Sequence, residues 1–289
     1  MMLMKTLLVA TDFSERSDRA LRRASLLARA SGAALTLVHV LDEDQPSFYL
    51  ERMESEASAL LERTAASLGE SDGLTCDAQV IVADPIVGIR TLVEDRQPDM
   101  LIIGPHRRQT LRDLFVGTTA ERIIRCVPCP VLMANGSPSG PYRHVLVSAD
   151  LSPGSNDALR QFGALGLRGS ELTSIRHVLS LPELRLSMAP APSAAAQQAQ
   201  IDAAKATAEV ALATLLRDTD MADLAVQVIE DGAVPANALQ RLAASEAADL
   251  LVMATHGRKG ESRYRLGSVT ENVLRHSTID VLVIPPRVA

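Results

Sequence analysis

The sequence contains no tryptophan and few other aromatic residues, with four phenylalanines and three tyrosines among its 289 residues. So few aromatic side chains argue against the stacking platforms that bind single-stranded nucleic acid. The formal net charge of −6 likewise argues against a general affinity for DNA or for anionic lipid. We therefore expect neither nucleic acid nor a membrane among the partners of this chain.

Long apolar runs and a secretory signal are also missing. No run approaches the roughly 18 residues that a membrane-spanning helix requires. The apolar stretch near the N-terminus reaches Asp12 too soon for a signal peptide and lacks a cleavage-site pattern. Three cysteines do not make a disulfide framework. These features predict a cytoplasmic protein.

Familiar catalytic patterns are absent as well: the sequence has no Walker Gly-Lys-(Ser/Thr), no Gly-X-Ser-X-Gly and no HExxH. His106 and His256 could act as bases or metal ligands, but neither lies in a ligand cluster, and a hydrogen bond that positions a loop is the preferred role. Cys126 and Cys129 form a CxxC that closes a helix instead of opening one, which predicts two ordinary buried thiols. We predict no metal site and leave enzymatic activity open, with a non-enzyme favoured.

What the chain does contain is the same pattern twice. Residues 7–14 are matched by residues 145–152, at an offset of 138. Further along, five residues recur with the same identity 150 positions later, namely Asp99, His106, Gly117, Glu121 and Leu132. Chance does not produce this register, so the protein is a duplication, with predicted domains 1–136 and 142–289.

Residues 135–142 carry Gly, Ser and Pro and predict a linker between the halves. The growing offset places added residues between positions 177 and 235, where the Ala- and Pro-rich segment 188–200 predicts a mobile loop ahead of a long helix over about 197–216. A first-half helix is predicted over 48–68, broken by Gly69 and Gly73. Short apolar runs alternate with such helices, which indicates an α/β fold with a parallel sheet.

Each half carries polar or glycine-bearing residues after its first and fourth strands, where open α/β sheets bind ligands. The first strand is followed by Asp12 or Asp150, which could accept hydrogen bonds from a base or ribose, or could merely cap the next helix. In the second half the fourth strand is followed by a basic loop and then by Gly267 and a helix. Backbone N–H groups, a helix dipole and cations in this order suit a polyphosphate.

The pairing of Val-X-X-Asp-X-Ser at the start of the chain with Gly-X2-Gly-X9-Gly-(Ser/Thr) later resembles the universal stress protein family, as a tandem member. The resemblance implies two tandem doubly wound, Rossmann-like parallel five-stranded sheets with strand order 3-2-1-4-5, similar to adenine nucleotide alpha hydrolases. It further implies ATP, with magnesium, as ligand and a role in stress response or signalling. The nucleotide-binding residues carried over to the second half are Asp150, Val178, Ala254, His256, Gly257, Gly267, Ser268 and Val269. Those of a degenerate site in the first half are Asp12, Val40, Gly104, His106, Arg107, Gly117 and Thr118.

Neither half matches the glycine pattern completely. In the second half Ala254 replaces the first glycine, and one added methyl is tolerable unless that residue needs a positive φ. In the first half Arg107 replaces the middle glycine and puts a long side chain where phosphate would approach the backbone. We therefore expect the nucleotide in the second half. The alternative is that Arg107 and Arg108 hold phosphates by charge, which would make the first half the better site.

Two other functions remain open: a regulatory or scaffold protein of the same fold that binds no nucleotide, and an enzyme that adenylates a substrate. The second would need catalytic groups that the sequence does not identify. The apolar last strands, around Leu132 and Leu282, predict that the halves pack together as an intramolecular pseudo-dimer. Association of whole chains into a homodimer, and the protein partner, stay undecided.

Overall fold

Strands alternate with helices along both halves of the chain. The computed structural model describes residues 4–105, 119–179, 193–217, 221–230, 235–255 and 266–286. The first half consists of β1 (Thr6–Ala10), α1 (Glu15–Ser31), β2 (Ala34–Leu41), α2 (Ser47–Asp72), β3 (Cys76–Val82), α3 (Pro85–Arg96), β4 (Met100–Ile103), α4 (Thr119–Cys126) and β5 (Val131–Met133). The second half consists of β6 (His144–Ser148), α5 (Pro153–Leu165), β7 (Leu172–Leu179), α6 (Ala194–Arg217), β8 (Ala225–Glu230), α7 (Pro235–Ser245), β9 (Leu250–Ala254), α8 (Ser268–His276) and β10 (Asp280–Ile284).

Equivalent helices in the two halves begin and end in the same way. The side chains of Ser14 and Ser152 cap α1 and α5, each accepting a hydrogen bond from the backbone N–H three residues on. This supplies a partner for one of the N–H groups that a helix start leaves unsatisfied. Both helices end at a glycine in the left-handed conformation, Gly32 with φ 73° and Gly166 with φ 67°. Local sequence therefore sets these boundaries twice.

Two predicted boundaries are wrong. Gly69 does not break the long first-half helix, since α2 continues to Asp72 and ends at Gly73, which has φ 67°. A glycine inside a helix costs only about 1 kcal/mol relative to alanine, and buried packing of the same helix offsets that cost. In the second half, the long helix begins at Ala194, three residues before its predicted start at 197, because a run of alanine and glutamine favours helix. Residues 188–192 lie outside the described part of the chain.

The strands form one ten-stranded sheet in the order β3-β2-β1-β4-β5-β10-β9-β6-β7-β8. Each half on its own has strand order 3-2-1-4-5 with parallel pairing, as predicted. The halves meet where β5 pairs antiparallel with β10, with Leu132 opposite Leu282. The predicted packing through the last strands is confirmed, and it leaves neither of these two strands as a sheet edge.

Both faces of the sheet are buried under helices. Along β4, Met100 and Ile102 contribute to one core cluster, whereas Leu101 and Ile103 contribute to the other. Successive side chains of a strand point to opposite faces. A strand covered on both faces must therefore be apolar at every position, which explains the continuous apolar runs in the sequence.

One buried carboxylate, Asp280, forms hydrogen bonds both with the segment predicted as a linker and with the first half. Asp280, at the start of β10, is fully buried and accepts hydrogen bonds from Arg23 Nε at 2.9 Å, from the Tyr142 hydroxyl at 2.7 Å and from the backbone N–H of Gly136 at 2.8 Å. Arg23 also donates to the Gly140 carbonyl at 2.8 Å, and its guanidinium carbon lies 4.0 Å from the centre of the Tyr142 ring. The connection between the halves is therefore a packed part of the interface.

A second set of polar contacts joins α4 to α8. Glu121 and Arg275 form an ion pair, with 2.8 Å between Oε1 and Nε, and Arg125 forms another with Glu271. Glu121 is equivalent to Glu271, and Arg125 to Arg275, at the offset of 150. Each glutamate thus pairs with the arginine of the other half. The burial is unequal: the Glu121 side chain is almost completely buried, whereas both side chains of the other pair are partly exposed.

Candidate functional site

The aspartate after β6 lies in a tight turn. Asp150 Oδ1 accepts hydrogen bonds from the Ser152 N–H at 3.0 Å and from the Ser152 hydroxyl at 2.6 Å, while the Ser152 oxygen accepts from the Ser155 N–H at 3.1 Å. Leu151, between them, has φ 63°. Ser152 is therefore the residue that caps α5, and Asp150 orients that serine at the carboxyl end of the strand.

Asp12 in the first half lies in the same kind of turn. Its Oδ1 accepts from the N–H of Ser14 at 3.1 Å and from the hydroxyl at 2.5 Å, and Phe13 has φ 58°. Burial alone would raise the pKa of Asp12, but hydrogen bonds from Ser14 and Ser17 and the charge of Arg16 outweigh it, so the pKa lies below its usual value. Asp12 is consequently ionised at neutral pH.

The neighbouring strands contribute a histidine and a valine in each half. His39 Nδ1 lies 2.8 Å from the Thr11 carbonyl, and His177 Nδ1 lies 2.7 Å from the Ala149 carbonyl. Each histidine thereby ties the turn that carries the aspartate to the adjacent strand. These histidines are absent from our predicted site, although their recurrence at the offset of 138 was a detectable signal. The predicted base-pocket residues that follow them, Val40 and Val178, are both partly buried.

The ends of the loop after β9 lie side by side. The Gly267 N–H donates to the Thr255 carbonyl at 2.8 Å, and the Thr255 N–H donates to the Ile284 carbonyl at 3.1 Å. The Thr270 hydroxyl donates to the Ala254 carbonyl at 3.0 Å. The start of α8 is therefore held against the end of β9, and Thr255 and Thr270 are structural members of the site that the sequence did not single out. His256 and Gly257 lie outside the described residues.

Helix α8 begins after the N-cap residue Gly267. Gly267 has φ −65° and ψ 148°, and no side chain of the described residues caps the helix. Ser268 is exposed and Val269 partly so. Amides at a helix start have no partner within the helix, and the helix dipole makes this end positive. Such an end can bind an anion.

The predicted residues that the structure describes in the second half lie along one edge of the sheet. β6 is flanked by β7 and β9, so the turn at Asp150, the end of β7 near Val178 and the end of β9 at Ala254 are neighbours. Gly267 is hydrogen-bonded to the residue after Ala254. The strand connections diverge on either side of β6, which is where ligands bind in folds of this type.

The first half differs at the end of β4. A Cβ on Gly104 would lie 2.8 Å from the Arg16 carbonyl oxygen and 3.1 Å from the Ser17 nitrogen, so glycine is required by the close approach of α1. Ala254 occupies the equivalent position, and neither residue has a positive φ. Alanine would be unfavourable at this position only if its φ were positive, so Ala254 is compatible with the backbone here. His106, Arg107, Gly117 and Thr118 lie outside the described residues.

Other candidates do not add to the site. Cys126 and Cys129 are free, and burial raises the pKa of both thiols, to about 12 for Cys129. Cys129 is buried as predicted, whereas Cys126 is only partly buried. Among the described residues no group of three or more His, Cys, Asp or Glu side chains could hold a metal ion. No helix in the same ranges is long and apolar enough to cross a membrane.

Comparison with known proteins bears on both halves. The family model described as the universal stress protein family matches residues 4–135 and again residues 141–285. The chain belongs to the universal stress protein family. It is similar to a universal stress protein of Mycolicibacterium smegmatis, with 26% identity over 97% of each chain, and to universal stress protein Rv2005c of Mycobacterium tuberculosis, with 28% identity over 95% of each.

The fold is shared with solved structures. A universal stress protein from Archaeoglobus fulgidus superposes with a TM-score of 0.70 at 18% identity and covers 99% of this chain and 98% of its own. A protein from Pseudomonas aeruginosa gives 0.71 at 18% identity, covering 98% of this chain and 93% of its own. Because these matches span both halves, the tandem arrangement is part of what is shared.

Proposed function

We propose that the second half of this universal stress protein binds ATP with magnesium, and that the chain acts in the cytoplasm as a nucleotide-dependent stress-response or signalling module. The observation that carries the proposal is the uncapped start of α8, held by the Gly267–Thr255 hydrogen bond beside the turn at Asp150. An anion-binding helix end and an acidic hydrogen-bond acceptor on one sheet edge are complementary to the two ends of a nucleoside triphosphate.

Each residue in the proposed site contacts, or positions a group that contacts, one part of the nucleotide. Asp150 accepts a hydrogen bond from the adenine, and Val178 packs against the base. Amides at the start of α8, together with the Ser268 hydroxyl, receive phosphate oxygens. Ala254 ends the strand below them, and Val269 follows Ser268 in the first turn. We assign His256 and Gly257, in the same loop, to the ribose and phosphate side of the nucleotide.

We propose that the first half, residues 1–136, keeps the fold of the second, residues 142–289, but binds ATP weakly or not at all. The turn at Asp12 has the same hydrogen bonds as the turn at Asp150, so the aspartate does not make the two halves differ in ATP binding. We expect them to differ because Arg107 occupies the position that corresponds to Gly257. A guanidinium there would fill the space of a phosphate.

A matched pair of variants tests this assignment. Asp150→Ala and Asp12→Ala remove the same hydrogen bonds to a cap serine, so their effects on stability should be alike. We expect isothermal titration calorimetry with Mg-ATP to give about 5- to 150-fold weaker binding for Asp150→Ala, since a lost hydrogen bond to a buried partner costs about 1–3 kcal/mol. Asp12→Ala should bind as the unmodified protein does.

Two further measurements define what would contradict the proposal. ATP at about 100 times its dissociation constant should stabilise the protein by about 2.7 kcal/mol, and Gly257→Arg should remove this stabilisation without lowering the melting temperature of the free protein. If millimolar ATP gives neither heat nor a thermal shift, the function that binds no nucleotide is correct. If Asp12→Ala abolishes binding and Asp150→Ala does not, the working half is the first.

A further inference from the structure

Helix α2 carries apolar side chains on its solvent side. Phe48 is 70% exposed, Tyr49 52%, Met53 40% and Leu60 39%. With 3.6 residues per turn, Tyr49, Met53 and Leu60 fall on one face of the helix. The core is contacted by a different face, through Ala57, Leu61 and Ala65. We call Phe48, Tyr49, Met53 and Leu60 the α2 surface.

The fold does not require the α2 surface. The equivalent crossover helix of the second half is α6, which connects the same pair of strands and contains no aromatic residue. Its one exposed large apolar side chain among the described residues is Val210. Since α6 packs on the sheet with a single exposed large apolar side chain, the α2 surface has no counterpart on the equivalent helix of the second half. Phe48 and Tyr49 also account for two of the seven Phe and Tyr residues in the chain.

The charges around the α2 surface have one dominant sign. Residues 42–56 contain six carboxylates and one guanidinium, all of them exposed. The guanidinium, Arg52, is already paired with Glu56 at 2.8 Å. On α6, by contrast, two carboxylates are balanced by one lysine and one arginine. On α2 itself, Glu56 lies on the same face, three residues from Met53 and four from Leu60. An exposed apolar strip in a stretch with this excess of negative charge is complementary to a segment that combines apolar and positive side chains, and it repels anionic lipid.

We propose that the α2 surface is a docking site for a cationic amphipathic helix of another protein. Apolar anchors spaced along a helix recognise a partner helix through its own apolar face. The surrounding carboxylates add attraction to lysine and arginine on the flanks of that partner and speed its approach. Aromatic side chains and methionine are the residues in which such interfaces are enriched. This inference does not depend on nucleotide binding.

The test uses fluorescence anisotropy with a labelled amphipathic helical peptide built from leucine and lysine. The double variant Tyr49→Ser/Met53→Ser should weaken binding by at least about tenfold, as expected for anchor residues. Val210→Ser removes an even more exposed apolar side chain, 66% exposed, from the equivalent helix and should change nothing. Replacing Glu56, which lies on the same face of α2 as Met53 and Leu60, by glutamine should reduce the salt dependence of binding, because salt screens the attraction between charged groups. Circular dichroism and melting temperature confirm that each variant folds.

Four results would overturn the proposal. The first is no binding of the leucine–lysine peptide, and the second is equal binding by the unmodified protein and the double variant. The third is equal binding of a leucine–glutamate peptide with the same pattern. The fourth is concentration-dependent self-association, seen by sedimentation, that Tyr49→Ser/Met53→Ser abolishes. That outcome would make a second copy of this chain the occupant.

Discussion

Replacing Asp280 tests how far the two halves depend on their buried contacts. In Asp280→Ala, Arg23 keeps a side chain that is only 6% exposed but loses its carboxylate partner, and the Tyr142 hydroxyl and the Gly136 N–H lose an acceptor. Removing one partner of a buried ion pair costs about 3–5 kcal/mol, because the other charge stays buried and uncompensated. We expect a decrease of this size in the free energy of unfolding.

The measurement is equilibrium urea denaturation followed by far-UV circular dichroism, since the chain has no tryptophan to report on unfolding. Asp223→Ala is a matched control: it breaks an aspartate–arginine pair of similar geometry, 2.8 Å from Arg168, whose side chains are exposed. Exposed pairs contribute little to stability, so this variant should unfold as the unmodified protein does. Arg23→Met with Asp280→Leu should lose less stability than Asp280→Ala, because no charge is then buried alone.

An equally small decrease in the free energy of unfolding for Asp280→Ala and Asp223→Ala would contradict the expected role of the buried pair. That result would mean that water reaches the guanidinium of Arg23 and replaces the carboxylate. A separate early unfolding step in Asp280→Ala alone would show instead that one half unfolds before the other once the contact is lost.

Three further outcomes are expected. Arg275→Met should destabilise the protein by about 1–3 kcal/mol in urea denaturation, since its carboxylate partner is buried, whereas Arg125→Met, from the exposed pair, should have little effect. Gly104→Ala should lower the melting temperature through overpacking worth about 1–3 kcal/mol, and Ala254→Gly, its counterpart, should be milder. Burial raises the pKa of Cys129 from 9.0 to about 12, so its contribution to stability should be complete below pH 9.0 and decline as the pH rises towards 12. Cys129→Ala should flatten that decline.

Much of the fold could be predicted because local signals and the duplication agree. Apolar runs mark strands buried on both faces, and Ser14 and Ser152 mark equivalent helix starts. The two errors of extent arise where tertiary packing or composition overrides a local rule. Gly69 is held in a helix that buries Leu61 and Ala65, and residues 194–196 extend an alanine-rich helix beyond its predicted start.

The candidate site was less accessible from sequence. The aspartates and Gly267 could be found because they follow strands in a repeated order. The contact between β9 and α8 could not be found, because it is a hydrogen bond between the backbones of Thr255 and Gly267. Backbone hydrogen bonds do not depend on residue type, so the sequence does not indicate them. Asp280 is similar: its first-half counterpart is Pro130, so the duplication gave no second copy from which to recognise it.

The antiparallel pairing of β5 with β10 has a consequence for ligands. All strands of one half run parallel to its last strand. The carboxyl ends of the first-half strands therefore lie on one side of the ten-stranded sheet, and those of the second-half strands lie on the opposite side. Asp12 and Asp150 therefore face away from each other, and no single small ligand can contact both. The first turn of α2 follows the carboxyl end of β2 and lies on the edge away from Asp150. A partner bound there leaves the way to the second half open, so the two ends of the molecule can be occupied at the same time.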